Sequence, residues 1–306
     1  MFQVFKKRNF SDYINDTISF FKMEGKTFFT NLFTLCGPLL LVLFVCVYFL
    51  FDMFFKMVMN DSMDSVDEFL NTNFGWAILI AFVTFLVGIA ISILAYTFPI
   101  YYLKNITTIP NQYKEVAPIK SEFKKDFGRL LVFVLGTMFL IFPLMMIVFF
   151  ISALLIFLII GLPLLLILLP TFTSWITISY YEYVTKKVGF FTAFQTAFYI
   201  VKSNFWPIIG NTAIVYLVIN IVASILSAIP QVIFYVGIFT SDRNIEDITM
   251  TSGYKIMMIA VVILSTILSF FANSLLIINQ GMIYYSAREH KENTQSHIDI
   301  DMIGNN

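Results

Sequence analysis

Histidine is almost missing from this chain. The two that occur in 306 residues, His290 and His297, follow the last apolar run, so no imidazole lies within a stretch that could cross a bilayer. That excludes His–Ser and His–carboxylate chemistry at membrane depth. HExxH, a Walker-type phosphate loop, GxSxG and Cys/His metal spacings are absent as well. Acidic catalysis fares no better, because Asp52 and Glu182 both lie near the ends of apolar runs. We therefore expect no enzymatic activity, no catalytic residue, no cofactor and no metal.

Cysteine is nearly as scarce. Cys36 and Cys46 share one apolar run, where helical geometry sets them about 15 Å apart at ~1.5 Å per residue, beyond disulfide reach. They read as packing residues. Charge is scarce too, at 12% of residues against about 25% in a soluble domain. The apolar fraction is 59% and mean hydropathy +0.84, so the bilayer must serve as solvent for much of the chain. Net charge is zero, which leaves no footprint for nucleic acid. The first apolar run begins only near residue 32 and lacks a small-residue cleavage site, so a removable signal peptide is not expected. Abundant Phe, Ile, Asn and Lys point to an AT-rich bacterial genome.

What the chain does have is long apolar runs. They predict spans at about 32–55, 76–103, 130–157, 163–184, 205–228 and 256–285, each long enough for a core of about 30 Å. The stretch from Leu130 to Val184 would be roughly 80 Å long as one helix. It must fold back, and Gly161-Leu162-Pro163 is the expected corner, with Gly supplying positive φ and Pro ending a helix. The apolar tail PQVIFYVGIF after residue 228 either prolongs a helix kinked at Pro230 or lies in the interface.

The few charges take sides. All but Lys56, Arg243 and Lys255 of the 19 basic residues fall in alternate gaps between spans. Those gaps are net positive and the others net negative. By the positive-inside rule the basic gaps, and with six spans both termini, are cytoplasmic. Each basic gap also carries apolar residues at helical spacing: Phe10, Tyr13, Ile14, Thr17, Phe21 and Phe28 in the first, Tyr113, Val116, Phe123, Phe127, Leu130 and Leu131 in the second. The third has Phe190, Phe191, Phe194, Ala197, Phe198 and Val201. We read them as interfacial helices at about 10–30, 112–128 and 190–203, with aromatics toward lipid and lysines toward headgroups.

The junctions FFKMEGKTFFTNL, EFKKDFGRLLVF and YIVKSNFWPIIGN look alike, suggesting three repeats of interfacial helix plus hairpin. The expected fold is thus an all-α integral membrane protein of six transmembrane helices as three hairpins, each preceded by a cytoplasmic amphipathic interfacial helix. Residues 1–287 form one transmembrane domain and 288–306 a polar cytoplasmic tail.

Two sets of residues are candidates for function. Ser265, Ser269 and Asn273 follow at i, i+4, i+8, with Gln280 one heptad later and Asn220 midway along the fifth span. Asn220, Ser269, Asn273 and Gln280 either hydrogen-bond between helices or line a polar cleft for a headgroup or small solute. Lys22, Lys26, Lys124, Lys125, Arg129 and Lys202 are candidate contacts to anionic headgroups, each worth about 1 kcal/mol near an anionic leaflet. Glu182 is expected to pair with Lys186 at i+4. Partners are then membrane lipids on the cytoplasmic side or a membrane-protein partner.

The stretch FFTAFQTAFYIVKSNFWPIIGNTAIV, with GLPLLLILLPTFTSWITISYYEYVTKK before it and GMIYYSAREHKEN at the close, resembles a largely uncharacterised family of bacterial multi-pass membrane proteins similar to the glycerophosphoryl diester phosphodiesterase membrane domain, without the soluble catalytic domain. The similarity covers most of residues 10–292 and implies an all-helical fold of the bacterial inner membrane. Where that membrane domain is joined to a phosphodiesterase, the catalytic residues belong to the soluble part. Only HKENTQSHIDIDMIGNN follows residue 289 here, so the resemblance implies no phosphodiesterase activity. The sequence leaves two functions open: an accessory or scaffold protein, and a transporter or lipid-handling protein using a polar cleft.

Overall fold

The computed structural model describes residues 2–59, 63–109, 112–159, 161–239 and 252–293, and no strand occurs among them. Its helices are α1 (Phe10–Met59), α2 (Met63–Thr108), α3 (Val116–Gly136), α4 (Phe142–Leu154), α5 (Gly161–Lys186), α6 (Phe190–Ser203), α7 (Phe205–Phe239) and α8 (Ser252–Glu292). A π-helical turn at Thr137–Ile141 joins α3 to α4, and a 3-10 turn at Leu155–Leu158 follows α4. Asp242, Arg243, Glu246 and Asp247, and the tail from Thr294 with His297, lie outside the described residues.

Six helical stretches are long and apolar enough to cross a membrane: Phe10–Phe55, Phe74–Thr108, Val116–Phe157, Gly161–Lys186, Phe205–Ile233 and Gly253–Glu292. Each contains one expected span, and the protein is an all-α multi-pass membrane protein. The helix is the natural solution here, because hydrocarbon offers backbone N–H and C=O groups no other partner.

Two of the interfacial segments and the hairpin corner differ from the sequence reading. Segments 10–30 and 112–128 are not separate elements: α1 runs unbroken from residue 10 into the first span, and α3 runs from residue 116 through the π turn into the third. Nothing in either junction forces a break, since Gly25 and Gly128 both sit in helix with negative φ. Only 190–203 is a helix of its own, ended by Asn204 at φ −134°, ψ 49°. The tail after residue 228 prolongs α7 through Pro230 to Phe239. At the hairpin corner the left-handed residue is Ile159 (φ 66°), not Gly161. Gly161 is required for another reason: a Cβ there would collide with the Ser152 carbonyl and the Ile156 backbone N.

The chain divides into two compact units. One comprises Met1–Leu35, Ala95–Val218 and Asn273–Asn306; the other comprises Cys36–Leu94 and Ile219–Ala272. In the first, α2, α5 and α8 approach closely at Gly281, where a Cβ would strike Tyr181 Oη and Leu103 Cδ1. Each of these three helices, the second of its hairpin, carries a tyrosine doublet near this point: Tyr101-Tyr102, Tyr180-Tyr181 and Tyr284-Tyr285. All six rings are buried. In the second unit, Lys255 of α8 pairs with Asp52 of α1 and lies 5.0 Å from the Tyr48 ring centroid.

Candidate functional site

The chemistry of the first unit gathers at its basic end, around the tyrosine doublets. Glu24 of α1 is buried and accepts from Tyr102 Oη at 3.2 Å and Tyr113 Oη at 2.9 Å. Asp126 of α3 accepts from Tyr101 Oη at 3.1 Å and Lys187 Nζ at 3.0 Å. Glu182 of α5 accepts from Tyr284 Oη at 2.7 Å. Tyr180 pairs with Thr97, and Tyr181 donates to the Ile277 carbonyl at 2.9 Å. A neutral phenol suits a buried carboxylate, because it donates a hydrogen bond without adding a second charge to desolvate. Burial, reinforced by Glu24, pushes the Tyr113 phenol up to about 12.

The N-terminal segment closes over this layer. The Arg8 backbone N–H donates to Ser286 Oγ at 2.9 Å. Its buried guanidinium donates to Asp16 Oδ2 and the Val4 carbonyl, both at 2.8 Å, and to the Gln3 carbonyl at 2.9 Å. Burial holds the Arg8 pKa below its ordinary value, against the pull of Asp16.

A second polar layer ties α1, α5, α7 and α8 together. Asn211 Nδ2 donates to Asn279 Oδ1 at 2.7 Å, and Asn279 Nδ2 donates to Thr17 Oγ1 at 3.2 Å and the Tyr13 carbonyl at 3.3 Å. Gln280 Nε2 donates to Thr212 Oγ1 at 2.8 Å, and Thr212 lies 2.8 Å from Ser174 Oγ. All these side chains are buried, and Gln280 Oε1 has no partner.

The four amide and hydroxyl candidates do not share an environment. Gln280 belongs to the buried layer, while Asn273 is half-buried. Ser269 is exposed and donates to the Thr266 carbonyl of its own helix at 2.7 Å, and Asn220 is exposed. Asn220 and Ser269 fall in the second unit, Asn273 and Gln280 in the first. Among the basic candidates, Lys22, Lys26, Lys124, Lys125 and Lys202 are exposed. Arg129 is turned inward, 4.2 Å over the Tyr183 ring and donating to the Tyr183 and Val188 carbonyls. A planar guanidinium can satisfy two carbonyls and a ring face together, which an ammonium cannot. Glu182 does not pair with Lys186, which reaches Glu292 Oε1 at 3.3 Å instead.

The aromatic stripes also divide. Tyr13, Thr17, Phe28, Tyr113, Phe123, Leu130, Phe194, Ala197 and Val201 are buried in protein, whereas Phe10, Phe127, Phe191 and Phe198 are exposed. The doublets, Asn211 and Asn279 were not among the sequence candidates. The doublets do carry a signal: YY recurs in FPIYYLK, ISYYEYV and MIYYSAR, at the end of each hairpin's second span. Asn211 and Asn279 have no such mark.

Two hollows lie in the first unit. One, of about 450 Å³, is lined by Phe172, Trp175, Phe198, Lys202 and Phe205 among others. The other, of about 440 Å³, mixes polar and apolar lining and includes Glu182, Tyr199, Asn204, Arg288 and Lys291. None of the four amide and hydroxyl candidates lines either. Among the described residues no group of three or more His, Cys, Asp or Glu could hold a metal ion. Comparison with protein-family models, curated proteins and solved structures finds no match to this chain.

Proposed function

We propose that the protein is a non-enzymatic accessory or scaffold protein of the bacterial inner membrane, with both termini cytoplasmic, whose basic end engages lipid headgroups or a membrane partner. One observation carries the reading. Buried polar groups are largely used in ties between helices, Asn211–Asn279–Thr17 and Ser174–Thr212–Gln280 among them, while Lys22, Lys26, Lys124, Lys125 and Lys202 stay exposed. A polar group satisfied by a neighbouring helix is lost to a solute; an exposed lysine at a membrane surface attracts anionic lipid. The orientation follows from the charge asymmetry of the gaps. Gln280 Oε1, buried without a partner, favours the second reading, a transporter or lipid- or solute-handling protein.

Purification in native lipid followed by mass spectrometry tests the leading reading: retained anionic lipid or a stoichiometric membrane protein supports it. A bound polar metabolite displaced by Gln280→Leu would favour the second. In a protein with Cys36 and Cys46 replaced, single cysteines at Asp64, Lys120 and Glu246 test orientation. An impermeant thiol reagent applied to intact cells should label 64 and 246 only; labelling at 120 would reverse the topology.

A further inference from the structure

The 450 Å³ groove has walls of one kind and a mouth of another. Thr171, Phe172 and Trp175 come from α5, Phe198 and Lys202 from α6, and Phe205 from α7. The polar atoms of the wall are turned away: Thr171 Oγ1 donates to the Ile167 carbonyl at 2.7 Å, and the Trp175 indole N–H donates to the Phe194 carbonyl at 2.9 Å. The second bond also fixes the indole as a rigid face, beside Phe172 with ring centroids 6.2 Å apart. Carbon remains, apart from the ammonium of Lys202. Lys202 is exposed, and among the described residues no carboxylate pairs with it.

Water suits such a groove poorly, since a buried water needs about two to four polar partners. An acyl chain needs none, and on α5, a spanning helix, acyl chains are the surrounding solvent. Lysine at the mouth adds a sign preference, because its stem can lie along apolar surface while its head meets a phosphate.

We propose that this groove binds a phospholipid with an anionic headgroup, its acyl chain against Phe172, Trp175 and Phe198 and its phosphate on Lys202. The proposal rests on the reading that the basic end engages lipid, and narrows it to one groove and one lysine.

The chain has three tryptophans, so Trp76→Phe with Trp206→Phe leaves Trp175 as the only indole of the full-length protein. In phosphatidylcholine bilayers doped with brominated lipid, quenching of Trp175 reports a chain in the groove. Brominated phosphatidylglycerol should compete for the site about five-fold better than brominated phosphatidylcholine, as expected for one lysine beside a headgroup of net negative charge rather than a zwitterionic one. Lys202→Gln should bring the two lipids level, and Lys7→Gln, at an exposed lysine outside the headgroup candidates, should leave the preference intact. Equal quenching by both lipids in the parent, or a preference that survives Lys202→Gln, overturns the proposal. So does a Trp175 that neither brominated chain reaches, as when a partner helix fills the groove. Anionic lipid retained by the same protein, counted by mass spectrometry, reads the broader function separately. Retention without Lys202-dependent quenching sinks the groove alone, whereas no retention sinks the lipid-engaging reading too.

Discussion

At the basic end of the first unit, buried tyrosines meet buried carboxylates, Arg8 is enclosed, and Asn211 and Asn279 bond between helices. In the second unit, Cys36–Leu94 with Ile219–Ala272, the buried described side chains are Cys36, Leu40, Phe55, Ile91, Ile93 and Phe270. Its polar ties include Lys255–Asp52 and a long Ser265–Ser227 contact of 3.4 Å. Both regions draw on the same long helices, so helix propensity does not separate them. Solvent does. Against lipid tails an apolar helix gains little by burying its side chains in protein, and packing and a few polar contacts hold it. Where the helices reach the charged gaps, water competes, and the chain builds a core whose buried polar groups are mostly paired, the Asn105 amide and Gln280 Oε1 being exceptions.

The contrast can be broken by substitution, read as thermal unfolding in a single detergent. The largest loss is expected from Arg8→Ala, at about 3 kcal/mol, because Asp16 and the Gln3, Val4 and Lys6 carbonyls lose a buried charged donor. Asn279→Leu should cost about 2 kcal/mol, since it leaves the Asn211 amide buried without its acceptor. Tyr102→Phe should cost roughly 1.5 kcal/mol by removing one donor from Glu24. In the second unit, Asp52→Asn with Lys255→Met should cost less than about 1 kcal/mol, since both charges of the pair are removed together and neither is left without its partner. If that double variant proved as costly as Arg8→Ala, the two regions would be held by the same chemistry.

Much of the fold was legible in the sequence. Apolar runs and gap charges suffice for six spans, because both follow from transfer free energies that depend on composition alone. The destination of an apolar stripe was not legible. Tyr13, Phe123 and Phe194 satisfy a helical period whether they face lipid or protein, and the structure puts all three in protein. Glu182 shows the same limit for charge: Lys186 is its neighbour at i+4, yet Tyr284 holds it from another helix. Local spacing ranks local partners and is blind to tertiary ones. Gly161 was found at the right corner for the wrong reason, since a close approach of two backbones leaves no mark in sequence beyond the glycine itself. The tyrosine doublets were legible in principle, because a residue pair recurring at the same place in three hairpins is a repeat signal that composition hides.

On this account the tyrosine doublets carry more of the stability of the fold than the apolar helices of the second unit do. The direct measurement is the unfolding midpoint of Tyr101→Phe/Tyr102→Phe beside Asp52→Asn/Lys255→Met, each against the parent in one detergent. The tyrosine variant should fall by roughly 5–10 °C and the ion-pair variant by less than about 3 °C. A tyrosine variant that melts with the parent, or an ion-pair variant that falls further than it, would contradict the view that the basic end is the structural centre of the protein.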